Sequence, residues 1–170
     1  MTPHQLAKNN TEHGHQQAVF AWANIAEKYG FNVARDWIND MGLEAAKTSY
    51  TNNRGVSALK WMHAIPNGGI RGDDKRSRMI RGAQLKAEGV RSGVADIFLP
   101  VPRGQWHGLY IELKRIGKNA RSENQIAFQN HCHDNNYGHV FCEGWEAAIN
   151  IIEEYLKHGR DSWHDEKPKQ

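Results

Sequence analysis

Three residues have the types and spacing for phosphate chemistry: Asp96, Glu112 and Lys114. Glu112 and Lys114 belong to the run Leu109-Tyr110-Ile111-Glu112-Leu113-Lys114. A strand alternates its faces, so the acid and the base project together while Ile111 and Leu113 turn toward apolar packing. Val94-Ala95-Asp96-Ile97-Phe98-Leu99 also sets one acid among apolar residues. A hairpin joining the two strands brings Asp96 beside Glu112. Two carboxylates held close repel each other unless a cation lies between them. Oxygen ligands suit Mg²⁺ or Mn²⁺, which also accept phosphate oxygens. Such an ion polarises a phosphate and helps generate hydroxide, and Lys114 can orient that water or offset transition-state charge. Over three residues alone, an edge strand with an exposed Glu–Lys pair reads the same way. The matching strand with Asp96 and the basic segments on either side favour the chemistry.

Those basic segments are two. Lys75, Arg76, Arg78, Arg81, Lys86 and Arg91, with Arg71, stand against only Asp73, Asp74 and Glu88. Arg115, Lys118 and Arg121 form a second group. Either could be a solvated face. Their position beside the acids points to phosphate contacts.

The elements that must position these residues follow from pattern and punctuation. A helix is expected from Thr11 to about Tyr29, stopped by Gly30. Asp36–Met41 and Leu43–Ser49 read as two short helices, and Leu59 to Ile65 as a strand. A basic helix is expected over Asp74–Glu88, with Gly89 beyond its end. Strands at Val94–Leu99 and Leu109–Lys114 are joined through Arg103-Gly104-Gln105-Trp106. A helix opens at Ser122, a good N-cap, and runs to about Asn136. His139–Cys142 reads as a short buried strand, and Glu146–Lys157 as a closing helix. This order predicts an α/β domain, a mixed sheet flanked by helices. The domain is expected over residues 1–158, with 32–57 as a helical insertion and 159–170 as a polar tail. The insertion could be a dimer arm or an element that grips DNA.

The bulk properties exclude several classes. The chain has 170 residues, 39% of them apolar and 24% charged, with net charge +3. That is one soluble domain's worth of chain. No apolar run approaches membrane-helix length, so no membrane partner is expected. The N-terminal residues lack a signal-peptide layout, and two cysteines are too few for a disulfide scaffold, so a reducing cytoplasm is expected.

Gly93-Val94-Ala95-Asp96-Ile97-Phe98-Leu99-Pro100, followed by Gly108-Leu109-Tyr110-Ile111-Glu112-Leu113-Lys114, resembles the core motif of the PD-(D/E)XK nuclease superfamily. More narrowly it resembles the stand-alone VRR-NUC domain of phage and bacterial proteins. The likeness extends to His63-Ala64-Ile65-Pro66-Asn67-Gly68-Gly69, to Leu85 through Gly93, to Gln125, and to Glu12-His13 with Gln16. Ala95 departs from the family, which commonly has proline there.

The resemblance implies a restriction-endonuclease-like fold and a DNA endonuclease using Mg²⁺ or Mn²⁺. By position, Asp96 and Glu112 would be metal ligands, the Leu113 carbonyl a third, and Lys114 the catalytic lysine. Glu12 would approach the metal directly or through water, and Gln125 and Gln16 would support the site. Four-way junction DNA cut by a homodimer in a bacterial host cell is the implied substrate and setting; flap or nicking activity is the alternative within the fold.

Plainer readings stand beside these. Glu12 is equally a first-turn acid favoured by the helix dipole. Gln125 is equally a surface residue near a cap, and Gln17 is placed as well as Gln16. Asn67 is first a turn former, though its loop could approach DNA. Trp22, Trp37 and Trp61 read as core before interface. His131, Cys132, His133, His139 and Cys142 invite zinc, but neighbouring helical residues point about 100° apart and rarely share an ion. A nucleic-acid-binding module without catalysis would explain the basic helix equally well; clustered carboxylates near phosphate argue against it.

Overall fold

A computed structural model describes residues 1–39, 41–50, 54–66 and 74–157, apart from the side chains of Lys75 and Arg78. Seven helices surround a four-stranded sheet in the order α1 (Pro3–Ala7), α2 (Glu12–Tyr29), α3 (Phe31–Ile38), α4 (Leu43–Thr48), β1 (His63–Ala64), α5 (Lys75–Ala87), β2 (Ile97–Leu99), β3 (Leu109–Lys114), α6 (Glu123–Asp134), β4 (Gly138–Glu143) and α7 (Gly144–Lys157). A 3-10 turn at Ser57–Trp61 precedes β1. The strands lie side by side in chain order. β1–β2 and β2–β3 are antiparallel, and β3–β4 is parallel, with α6 as the crossover. The sheet is therefore mixed and flanked by helices, as expected.

One sheet face makes the core. Ile97, Leu99, Leu109, Ile111 and Leu113 are buried in one cluster with Val19, Trp22 and Ala26 of α2 and with Ile149, Ile152 and Tyr155 of α7. Burying side chains of this size stabilises by roughly 1.5–3 kcal/mol each, which fixes β3 between two helices. Trp22 is core, stacked on Phe31 at 5.9 Å; Trp37 is half-buried and Trp61 is exposed. The opposite face, where alternation sends Glu112 and Lys114, is covered by α6.

The expected elements shift in four places. The strand expected from Leu59 is a 3-10 turn followed by two strand residues. Its buried apolar residues, Leu59 and Met62, are three apart, which is the 3-10 repeat. β2 starts at Ile97, not Val94, because the chain before it turns under α6. Gly93 has φ +90°, and a Cβ there would lie 2.5 Å from the Asn124 carbonyl, so only glycine fits. The first short helix begins at Phe31, because Gly30 ends α2 and starts α3 without a linker. α7 opens two residues before Glu146, at Gly144. The 32–57 stretch is tied into the body: Ala34 and Ile38 join the core, and the Arg35 guanidinium donates to Glu153 and Asn150, both at 2.6 Å. The expected 159–170 tail and Asn67 lie outside the described residues.

Candidate active site

β3 delivers two charged side chains into the space beneath α6. Glu112 is 5% exposed and Lys114 8%. Charges so buried must be paired, and they are. Lys114 Nζ donates to Glu112 Oε1 at 3.0 Å and to Gln125 Oε1 at 3.1 Å. Gln125 Nε2 donates to the same Glu112 oxygen. Both bonds fall on Oε1; Oε2 has no hydrogen bond to a described residue.

Gln125 holds its place by a second job. Its backbone N–H donates to Ser122 Oγ at 3.3 Å, and its Oε1 accepts from the Ser122 N–H at 3.0 Å. This reciprocal pair is a capping box at the start of α6. Gln125 therefore caps α6 and at the same time touches both Glu112 and Lys114.

Asp96 arrives immediately before β2, half-buried. Its backbone is fixed on both sides: its N–H donates to Ile111 O at 3.1 Å, and its carbonyl accepts from Ile65 N–H at 2.7 Å. Its side chain accepts from the Leu113 N–H at 2.8 Å. In an extended strand a residue's N–H and C=O point to the same edge. The Leu113 carbonyl therefore opens toward Asp96 as well.

A cleft of about 540 Å³ lies against these groups. Glu12, Asp96, Glu112 and Gln125 line one side, and Gly82, Leu85 and Lys86 of α5 with Arg91 and Val94 line the other. Burial raises the Glu112 carboxyl to about 7, with repulsion from Asp96 next and a smaller push from Glu12, against the pull of Lys114. The cleft thus gathers three carboxylates, Glu12, Asp96 and Glu112, opposite the cations of Lys86 and Arg91, and the carboxylates offer oxygen ligands. Those features fit a hard divalent cation. Among the described residues no three His, Cys, Asp or Glu side chains group closely enough to hold a metal. The oxygen groups that would hold a cation here are Asp96, Glu112 and the Leu113 carbonyl, with Glu12 also lining the cleft.

The remaining candidates divide. Lys86 and Arg91 line the cleft; Arg76 and Arg81 are exposed on α5. Lys75 and Arg78 belong to α5, but their side chains are not described. Arg115 and Lys118 are exposed just after β3, and Arg121 sits 4.2 Å over the Phe141 ring. Gln16 does not line the cleft, nor does Gln17. The residues of the zinc reading are spread apart. Cys132 and Cys142 are buried, with thiols pushed up to about 12 by burial, and His139 lies between Phe128 and Phe141.

Asn10 is a site residue the sequence did not reveal. It has φ +47°. Its Oδ1 accepts from Ile116 N–H at 2.9 Å and its Nδ2 donates to Ile116 O at 3.2 Å. The buried His15 Nε2–H also donates to Oδ1, at 2.9 Å. One side chain thus clamps the chain two residues past Lys114 to the start of α2, where Glu12 sits. Nothing in its local pattern separates Asn10 from an ordinary loop residue.

A mixed sheet with two acids and a lysine at the meeting of its central strands, facing a basic helix, defines the class: a nuclease-like α/β fold. It is similar to a solved structure described as a VRR_NUC domain protein, with TM-score 0.58 and 21% identity over 89% of this chain and 93% of that one. That likeness is one of fold. No family model and no curated protein matches the sequence.

Proposed function

We propose that this protein is a metal-dependent DNA endonuclease selective for branched DNA, with four-way junctions the first candidate and a homodimer the natural form for paired cuts. The observation that carries the reading is the convergence of Asp96 and Glu112 in one cleft walled by α5, with Lys114 bonded to Glu112 behind it. Asp96, Glu112 and the Leu113 carbonyl would hold Mg²⁺ or Mn²⁺. When bound, such an ion polarises a phosphoryl oxygen and lowers the pKa of water.

The chain's own residues do the rest. Lys114 Nζ, fixed by Glu112 and Gln125, presents protons to an attacking water or a developing phosphorane charge. Gln125 fixes which Glu112 oxygen is engaged. Arg91 and Lys86 draw the phosphate backbone into the cleft, and the exposed α5 charges hold the flanking strand.

The test is cleavage of four-way junction, flap, nicked, single-stranded and linear duplex DNA in Mg²⁺ or Mn²⁺. Asp96→Ala, Glu112→Ala and Lys114→Ala serve as controls. Binding without cutting of any substrate would leave only a DNA-binding module. Light scattering on the purified chain reads its oligomeric state, and a monomer that prefers flaps would replace junction resolution with flap cleavage.

A further inference from the structure

Four ring-bearing residues lie in one register line across all four strands. His63 pairs with Phe98, Phe98 with Tyr110, and Tyr110 with His139. Asp96 and Glu112 lie two residues along the same strands, so the ring line and the acids share a face. The first three rings touch: His63 meets Phe98 edge-on at 5.7 Å, and Phe98 stacks on Tyr110 at 4.3 Å, while Phe128 bridges Tyr110 and His139. Gly108 makes room for this, since a Cβ there would stand 2.7 Å from the Phe98 ring.

The row is closed at one end and open at the other. His139 is buried, with Phe128 of α6 against it. Tyr110 and Phe98 are half-buried, and His63 on the edge strand is exposed. Two residues earlier, Trp61 is 70% exposed. The His63 ring is fixed in place, because its Nδ1–H donates to the Trp61 carbonyl at 2.9 Å. A row serving only as core would have no reason to end in an oriented, solvent-facing ring.

Position gives that open end a use. Phe98 lies two strand residues, about 6.7 Å, from Asp96, and His63 one strand, about 4.8 Å, further across, so His63 stands about 8 Å from Asp96 along the sheet. That is about two to three nucleotide rises of 3.4 Å along one strand. Nucleobases stack on aromatic rings whatever their sequence, at about 5- to 150-fold in affinity per base. A base within a continuous duplex is already stacked on both faces and paired. Only an unpaired one can use an extra ring.

We propose that His63, backed by Phe98 and with the exposed Trp61 two residues before it, is a stacking site for an unpaired nucleobase two or three nucleotides from the phosphate held at Asp96 and Glu112. The location of that phosphate rests on the nuclease reading above; the stacking surface rests on the ring row. It gives selectivity for branched DNA a physical basis in a fold whose other contacts are to phosphate.

The experiment uses the full chain in EDTA, so that nothing is cut. The probes are a branched DNA with 2-aminopurine at its first unpaired nucleotide and a linear duplex with the same label inside. The wild type should quench the branch label and bind the branched DNA more tightly. His63→Ala and Trp61→Ala should each lose the quench and reduce the preference about fivefold or more, whereas His63→Phe should keep both. Melting by circular dichroism should be unchanged in all three, as expected for exposed positions. An absent quench, no binding to either DNA, or alanine variants within twofold of wild type would overturn the proposal. Cleavage that depends on Asp96 without any quench sinks the stacking site and spares the nuclease reading. Quench and preference without cleavage in Mg²⁺ do the reverse.

Discussion

β3 and α5 both carry charge, and they hold it in opposite ways. β3 sinks Glu112 and Lys114 until each is nearly sealed from water, then fixes them to Gln125. α5 carries five basic residues along thirteen positions, and none of its described side chains is buried. Under the proposed nuclease function, the difference follows from what each would do. A group acting on a reacting atom needs its geometry fixed to a fraction of an ångström, and burial with complete pairing supplies that. A group that only attracts a phosphate backbone acts through a screened field some 8–10 Å deep, and gains little from being rigid. Precision is therefore built into the core and attraction is left outside it.

The contrast breaks most visibly if the buried charges prove dispensable. Asp96→Asn keeps the side chain's shape and its bond from the Leu113 N–H, but removes half of the carboxylate pair. Lys114→Met removes the one buried lysine or arginine among the described residues. Each should lower single-turnover cleavage by about 10²–10³ or more, the scale for losing one preorganised electrostatic contact. Binding to DNA should change little in the asparagine variant. Gel-based cleavage and fluorescence anisotropy on the same protein separate the two effects. A loss below tenfold would move the chemistry elsewhere.

Glu112 offers a second, pH-dependent handle. Burial and Asp96 raise it from 4.5 to about 7. Between those values the metal-free folded chain keeps a proton that the unfolded chain has released. This group therefore subtracts from stability as pH climbs through that window, and the loss is complete above about 7. A cation must displace the same proton. Affinity for Mn²⁺ should fall about tenfold per pH unit below 7 and level off above it. Calorimetric titration at pH 5.5, 6.5 and 8.0 reads this directly, and melting curves should show metal stabilising the protein more at pH 8 than at pH 5.5. A flat profile removes Glu112 from the ligand set.

The buried half of this design was legible in the sequence, because burial leaves a pattern. The alternation in Leu109–Lys114 fixed which side chains share a face, and Ser122 marked the helix that carries Gln125. Local pattern misread 59–65, because spacings of two and three blur when both Leu59 and Met62 are apolar and short. It misplaced the start of β2, because the turn at Gly93 is imposed by Asn124, thirty-one positions away. Asn10 was invisible for a similar reason: its partner Ile116 is distant in sequence and offers only backbone. The His63–Phe98–Tyr110–His139 row depends on the register of four strands, which no single segment contains.

Asn10 sharpens the comparison from the side of the scaffold. Asn10→Ala removes both bonds to Ile116 and leaves the buried His15 Nε2–H without its acceptor. Leaving a buried donor unmet and losing two long-range bonds should cost about 1–3 kcal/mol. Chemical denaturation measures that cost. Cleavage should also require more Mg²⁺ at half-maximal rate, because Glu12 is no longer tied to the end of β3. A stability loss with an unchanged Mg²⁺ requirement would separate Glu12 from the site and return it to its helix-dipole role.

The smallest expected effects are on α5, and their smallness is the point. Arg81→Ala and Lys86→Ala remove charges from a helix whose described side chains are all exposed or half-buried. Each should leave stability within about 0.5 kcal/mol of wild type. Each should lower DNA affinity a few-fold at low salt, and reduce the slope of log affinity against log salt by about 0.9 per lost duplex phosphate contact. Cleavage at saturating DNA should be unchanged for Arg81→Ala, which lies outside the cleft lining. Lys86, inside it, should show a modest fall at most. A large loss of saturated rate from Arg81→Ala would mean that α5 closes onto the phosphate as a working part of the site, and the division between a precise core and an attractive exterior would no longer hold.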